Sequence, residues 1–385
     1  MANDEKEQKQ HLEKIFFTGK RPWSKIKDQV LGSYMKPYLA KVAKLGKPIL
    51  IVDAFAGPGK FDDGSEGSPL IICNAAEKQI PNQYHAIFVN RKRDHDQKLR
   101  KTLEPYIEMK KAIPILGTAE NLLERLKSML TNQTVFLYLD PFNLRGWEFS
   151  TIEPFLGRDK KFSTEIVINL SVPAIHRLGA RKSMRTGRRA PAIVQSFHNR
   201  LSLVLGGDYW KDVLWSESGS ADDRAEQVMV LYRQRLQKAG LQYVGSCPVR
   251  EREDSTLKYY ITLCSRHPHA LLLMNDIMCS AYNKQTYGAK YIDTLFEKTD
   301  WKDSRESRNI TTIVEEAVSE FPGRSRADIW LQIVQQHFMR FLKSEFNEAV
   351  KTLCQEEFIR FEDVTGTERL NESARLFPGP KKRGA

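Results

Sequence analysis

Residues 48 to 67 read Pro48-Ile-Leu-Ile-Val-Asp53-Ala-Phe55-Ala-Gly57-Pro-Gly59-Lys-Phe-Asp62-Asp63-Gly64-Ser-Glu66-Gly67. Ile49 to Val52 is an unbroken, β-branched-rich run, the pattern of a strand buried on both faces inside a parallel sheet. It stops at Asp53 and breaks into a loop carrying Gly57, Gly59, Gly64 and Gly67. Ser68 and Pro69 then predict a capped helix start, with the helix running from Leu70 to about Lys78. Strand, glycine loop and helix N-terminus form the unit at which open α/β sheets hold ligands.

The loop chemistry narrows the ligand. Gly57 and Gly59 supply two glycines of a dinucleotide fingerprint, but the third position holds Asp62, and no P-loop lysine with a serine or threonine follows. Asp53, Asp62, Asp63 and Glu66 make the loop acidic, which repels a pyrophosphate and suits a positively charged ligand such as S-adenosylmethionine. The plainer alternative is a tight turn with solvated acids.

The stretch ILIVDAFAGPG resembles the first motif of class I S-adenosylmethionine-dependent methyltransferases. The longer pattern VDAFAGPGKF…GSPL, with the later FLYLDPFN, resembles a narrower bacterial group, the three-Cys-motif partner (TcmP) proteins. The resemblance covers roughly residues 20 to 360. It implies a Rossmann-like, mostly parallel seven-stranded sheet, an S-adenosylmethionine cofactor, and a three-Cys-motif protein as partner. It also places Asp53, Phe55, Gly57 and Gly59 at the methionine end of the cofactor.

The second strand is predicted at Ala86 to Val89. The family ends this strand with an acid that accepts both ribose hydroxyls; here Asn90 stands there, with one acceptor oxygen and no charge. Arg91, Lys92 and Arg93 follow and favour a more anionic ligand. Asp94 substitutes for the acid only if the strand ends later. Ile113 to Leu116 read as the third strand. By the resemblance, Ala119 and Glu120 flank the adenine; Thr118 is alternatively just a helix cap.

Val135 to Leu139 read as the fourth strand, delivering Asp140, Pro141, Phe142 and Asn143 to the sheet's carboxyl edge. In amino-group methyltransferases this position orients the acceptor N–H, so Asp140, Pro141 and Phe142 are the catalytic candidates. Phe142 and Trp147 are candidates for base stacking, worth ~1–3 kcal/mol per base. The alternative has Asp140 capping a turn and both aromatics in the core.

Glu165 to Leu170 read as the fifth strand. A basic loop at 176–189 follows, with Arg177, Arg181, Lys182, Arg185, Arg188 and Arg189 and no acid among them. Such a loop suits phosphates, or is a solvated surface. The formal net charge of +12 over 385 residues also points to an anionic partner, nucleic acid first. Residues 195–220 read as an inserted helical segment and Arg224 to Lys238 as a helix. Leu241 to Pro248 and Lys258 to Cys264 form the sixth and seventh strands.

Residues 1–47 read as an N-terminal helical segment, its helix spanning Ser24 to about Lys44. Pro37 is expected to kink or divide it, and Trp23 is a lid residue or a packing anchor. The methyltransferase-like domain is then 48–300. Three helices and two short strands over 305–380 suggest a small winged-helix-like domain. Its third helix, Lys343 to Glu357, is acidic for a DNA groove and equally suits a protein contact. Five scattered cysteines without a C-x-x-C pair fit a reduced, cytoplasmic protein, and no apolar run is long enough for a membrane span. Cys264, His267 and His269 are a weak metal candidate. The functional expectation is methyl transfer to nucleic acid, at an amino group by the resemblance. The alternative is a methyltransferase fold that lost turnover and serves as a nucleic-acid-binding partner.

Overall fold

A computed structural model describes residues 22–141, 144–182, 190–250, 255–286, 310–363 and 369–381. The apolar run is strand β1 (Ile49–Asp53). β2 (Tyr84–Asn90) and β4 (Thr134–Leu139) flank it in parallel, so that Asp53 lies opposite Phe88 on one side and Tyr138 on the other. β3 (Ala112–Leu116) pairs outside β2, and β5 (Thr164–Ser171) outside β4, both parallel. β7 (Tyr259–Ser265) joins β5 antiparallel, and β6 (Tyr243–Val249) pairs antiparallel with β7. The order is β3-β2-β1-β4-β5-β7-β6, the mostly parallel, Rossmann-like seven-stranded sheet expected of a methyltransferase-like fold. The chain runs outward from β1 to β3, then returns to start again at β4. The crevice between the carboxyl ends of β1 and β4 is therefore the switch point of the sheet.

The core explains why the strands are so apolar. Val52, Leu137, Leu139, Ile166 and Ile168 are all fully buried and belong to one cluster, each contributing roughly 1.5–3 kcal/mol by leaving water. Trp147 and Trp210 sit in the same cluster at 0 % exposure. Trp147 is therefore a core residue, and the base-stacking reading gives way to the packing one.

The N-terminal helix is continuous from Pro22 to Val42, with Pro37 inside it rather than dividing it. Ser24 lies within this helix instead of capping it. Leu31, Tyr34, Met35 and Tyr38 form its buried stripe, and Gly32 faces Ile71 of the helix Ser68–Gln79. That second helix is capped by Gly67, which leaves Ser68 as its first residue and frees the hydroxyl for another partner.

The start of the basic segment is helical. Val172–Gly179 is a helix, capped by the Ser171 hydroxyl, and it carries Arg177. A Cβ on Gly179 would lie 2.5 Å from Leu214, so this glycine marks a close packing contact and not a flexible joint. The inserted segment comprises helices Ala190–Leu205 and Trp210–Leu214, and the predicted helix at 224–238 extends over Ala221–Lys238.

A second unit comprises Pro268–Ala385, so the division falls earlier than the expected 300. It contains helices Pro268–Thr286, Ile310–Glu320, Arg326–Gln336 and Lys343–Gln355. An antiparallel pair follows, β8 (Ile359–Glu362) with β9 (Arg375–Pro378). Trp330 stacks on Phe346 at 5.0 Å between ring centres, and both are buried. Asn275 ties this unit internally, donating to the Phe341 carbonyl at 2.9 Å and accepting from Met339 N–H at 2.6 Å.

Candidate functional site

The strand order sets Gly117–Glu120, Asn90, Asp53–Gly59 and Asp140 side by side along one carboxyl edge. Asp53 organises the middle. One carboxylate oxygen accepts the Phe55 N–H at 3.1 Å and the other the Ser68 hydroxyl at 2.6 Å. The hydroxyl predicted to cap the helix instead closes the loop from beneath. Gly57 and Gly59 have φ of 64° and 80°, in the left-handed region where a side chain is strained. A Cβ on Gly59 would also press on Leu99 at 2.9 Å. Gly67 N–H donates to the Gly59 carbonyl at 2.8 Å and draws the loop shut.

Asp53 is 0 % exposed, and burial pushes its carboxyl up to about 7. The Ser68 and Phe55 hydrogen bonds pull back against this, while Asp140 and Asp28 push the same way as burial. The other loop acids are different. Asp62 is exposed and 3.8 Å from Lys98, Asp63 accepts from Ser65, and Glu66 accepts from Asn74. For those three the solvated-turn reading is the right one.

Asn90 is buried and donates its side-chain amide to the Gly57 carbonyl at 2.6 Å. Its backbone carbonyl accepts Gly117 N–H at 2.8 Å. Asn90 thus locks the glycine loop to β2 and β3, a role that a carboxylate, lacking a donor, cannot perform. β2 ends at Asn90 and Asp94 belongs to the following helix with a largely exposed side chain, so Asp94 does not stand in for the acid. Thr118 accepts from Asn121 N–H at 3.3 Å and is a cap. Ala119 is buried, and Glu120 lies 3.9 Å from Arg200. Phe55 is half-buried and would meet a Cβ on Gly146 at 3.1 Å.

Asp140 follows β4 and is not free. Lys27, from the N-terminal helix, donates to its carboxylate at 2.6 Å and lies 4.9 Å from the centre of the Tyr259 ring. Phe142 and Asn143 lie outside the described residues. Beyond them Leu144 is buried with φ of 53° and Gly146 has φ of 89°. A leucine in that region is strained. Arg200 holds the turn, donating to the Leu144 carbonyl at 3.0 Å and the Trp147 carbonyl at 2.6 Å.

Sequence reasoning missed Lys27 and Arg200. Lys27 had a signal: it stands four and seven residues before Leu31 and Tyr34, a cation on the buried stripe of an amphipathic helix. Arg200 acts on backbone carbonyls far away in sequence, which leaves no local pattern. Among the basic residues, Arg177 and Lys182 are exposed, and Arg181 donates to the Trp215 carbonyl with its guanidinium 5.9 Å from the Trp215 ring centre. Arg185, Arg188 and Arg189 lie outside the described residues. Among those described, no group of three or more His, Cys, Asp or Glu is placed to hold a metal ion, and no helix is long and apolar enough to cross a membrane.

No family model matches the chain, and no curated protein matches it. Solved structures do. An O-methyltransferase from Bacillus cereus, in complex with SAH, is similar at 12% identity with a TM-score of 0.31, over 61% of this chain and 80% of that one. A methyltransferase from Geobacter sulfurreducens is similar at 13% identity and a TM-score of 0.23, over 35% of this chain and 60% of that one. The methyltransferase domain of a bacterial Hen1 is similar at 10% identity and a TM-score of 0.29, over 62% and 99%. At these values no residue role carries across to this chain.

Proposed function

We infer that the protein is an S-adenosylmethionine-dependent methyltransferase acting on nucleic acid. The observation that carries this is the buried Asp53 beneath a left-handed glycine loop at the switch point of the sheet. Burial makes its negative charge costly, and a cation bound above the loop would relieve that cost. The methionine end of the cofactor is such a cation. Gly57 and Gly59 offer backbone at close approach, the Asn90 carboxamide oxygen is the acceptor left for a ribose hydroxyl, and Ala119 and Glu120 flank the adenine. The cofactor supplies an electrophilic sulfonium methyl; the chain's own work is to bind, to orient the acceptor with Asp140, and to position the two in line. The net charge of +12 and the exposed Arg177 and Lys182 favour a nucleic-acid acceptor. A three-Cys-motif protein as partner remains the resemblance's suggestion.

Calorimetric titration with S-adenosylmethionine tests this. The expected result is micromolar binding that weakens by about 100-fold in Asp53→Asn, which keeps the shape and removes the charge. Equal binding by both forms would put the cofactor elsewhere. No binding at millimolar ligand would favour a fold that lost turnover and only binds nucleic acid.

A further inference from the structure

Amino-group methylation needs the Asp140 carboxylate to accept an N–H. In the structure, that carboxylate already accepts from the Lys27 ammonium at 2.6 Å. The pair is partly shielded, with the Lys27 side chain 10% exposed and the Asp140 side chain 28% exposed. The Tyr259 ring backs the ammonium from β7, and the helix that carries Lys27 is anchored by its buried stripe. Asp140 therefore presents a fixed cation together with its own charge.

The sign of the charge that develops during transfer decides what such a pair favours. An amine that attacks a methyl group becomes positive at nitrogen, and a fixed ammonium beside it raises that barrier. A hydroxyl attacks as its proton leaves, its oxygen gains negative character, and a fixed ammonium lowers that barrier. On the methyltransferase reading, on which this rests, we propose that the Lys27–Asp140 pair selects a hydroxyl acceptor, the ribose 2′-hydroxyl of RNA. Base amino groups occur in both nucleic acids, whereas the 2′-hydroxyl belongs to RNA alone. In the step, the Asp140 carboxylate takes the hydroxyl proton while the oxygen–methyl bond forms and the sulfur–methyl bond breaks. The bonding pair stays on sulfur, which ends as a neutral thioether. The acceptor ends as a methyl ether, and the proton leaves Asp140 for solvent. The Lys27 ammonium donates to the acceptor oxygen.

The test uses the full chain, S-adenosylmethionine labelled in its methyl group, and bulk cellular RNA and DNA in parallel, with the products digested to nucleosides and identified by mass spectrometry. The expected product is 2′-O-methylnucleoside from RNA, with no label in DNA. Lys27→Met keeps the aliphatic stem and removes the charge. It should lower turnover by roughly 10²–10³-fold, while cofactor affinity stays within about threefold and the variant remains folded at the assay temperature. Binding without cofactor gives an independent reading. The native chain should prefer an RNA strand over the DNA of the same sequence by at least about tenfold, and Lys27→Met should lose that preference. Label in a base amino group, label in neither polymer, or a Lys27→Met variant that transfers methyl at the native rate would each overturn the proposal. If the chain binds the cofactor in those cases, the methyltransferase reading survives; if it does not bind, both fall.

Discussion

Two acids are buried in the same sheet at opposite ends of parallel strands. Asp53 closes β1 at the carboxyl edge; Glu165 is the second residue of β5, at the amino edge. Burial pushes each up to about 7. Their surroundings differ. Glu165 accepts from the Tyr34 hydroxyl of the N-terminal helix and from Ser265 of β7, and Tyr34 and Tyr38 pack on Phe136 beside it. Its donors come from packed elements that hold the helix on the sheet. Asp53 has its donors in the glycine loop and at the start of the helix that follows it, with Asp140 and Asp28 in its field. A perturbed buried acid is therefore not in itself a site. Position on the sheet and the company of other acids distinguish the two.

The sharpest way to break this comparison is to remove one acid at each edge and follow methyl transfer. Asp140→Ala should cost roughly 10²–10⁴-fold in turnover, the range for loss of a group that moves a proton. Glu165→Gln should leave turnover within about threefold, because Gln keeps an acceptor for Tyr34 and the proposed site lies at the other edge of the sheet. Comparable losses in both variants would mean that the edges are not distinct.

The next effect is on stability. Both acids have a folded pKa above the unfolded value, so the folded form holds its protons more tightly. Their contribution is fully present below the unfolded values of 3.8 and 4.5 and is lost as pH rises towards about 7. For Glu165 the shift corresponds to about 3 kcal/mol across that window. Denaturant melts of Glu165→Gln should therefore show a flatter stability curve between those limits than the native chain. An unchanged slope would contradict the burial seen at the amino edge.

A smaller effect tests Asn90. Placing an acid at this position with Asn90→Asp removes the donor to the Gly57 carbonyl and sets two acceptors against each other. The expected cost is about 1–3 kcal/mol in melting experiments, with no gain in cofactor affinity. Tighter binding would show that the ribose acid matters more than the loop lock.

The strands were legible because both-face burial writes long apolar runs, and the loop because glycines with positive φ have few substitutes. The roles of Ser68 and Asn90 were not legible. Each side chain turns from a familiar local motif towards a partner brought near by the fold: Asp53, fifteen residues away, and Gly57, thirty-three away. Trp147 illustrates the converse: an aromatic next to a candidate catalytic motif looks like a stacking platform until the core claims it. In the basic segment, Gly179 serves close packing against Leu214 and Trp210, which sequence cannot distinguish from loop flexibility.

The most direct measurement is proton release on cofactor binding at pH 6, from calorimetry in buffers of different ionisation enthalpy. Burial raises the Asp53 carboxyl to about 7, so at pH 6 most of the free protein holds a proton on it. A cation bound above the loop should expel most of it. The account predicts release approaching one proton by the native chain and by Glu165→Gln, and close to none by Asp53→Asn. Binding without release, or equal release from Asp53→Asn, would contradict the placement of the cofactor at this edge.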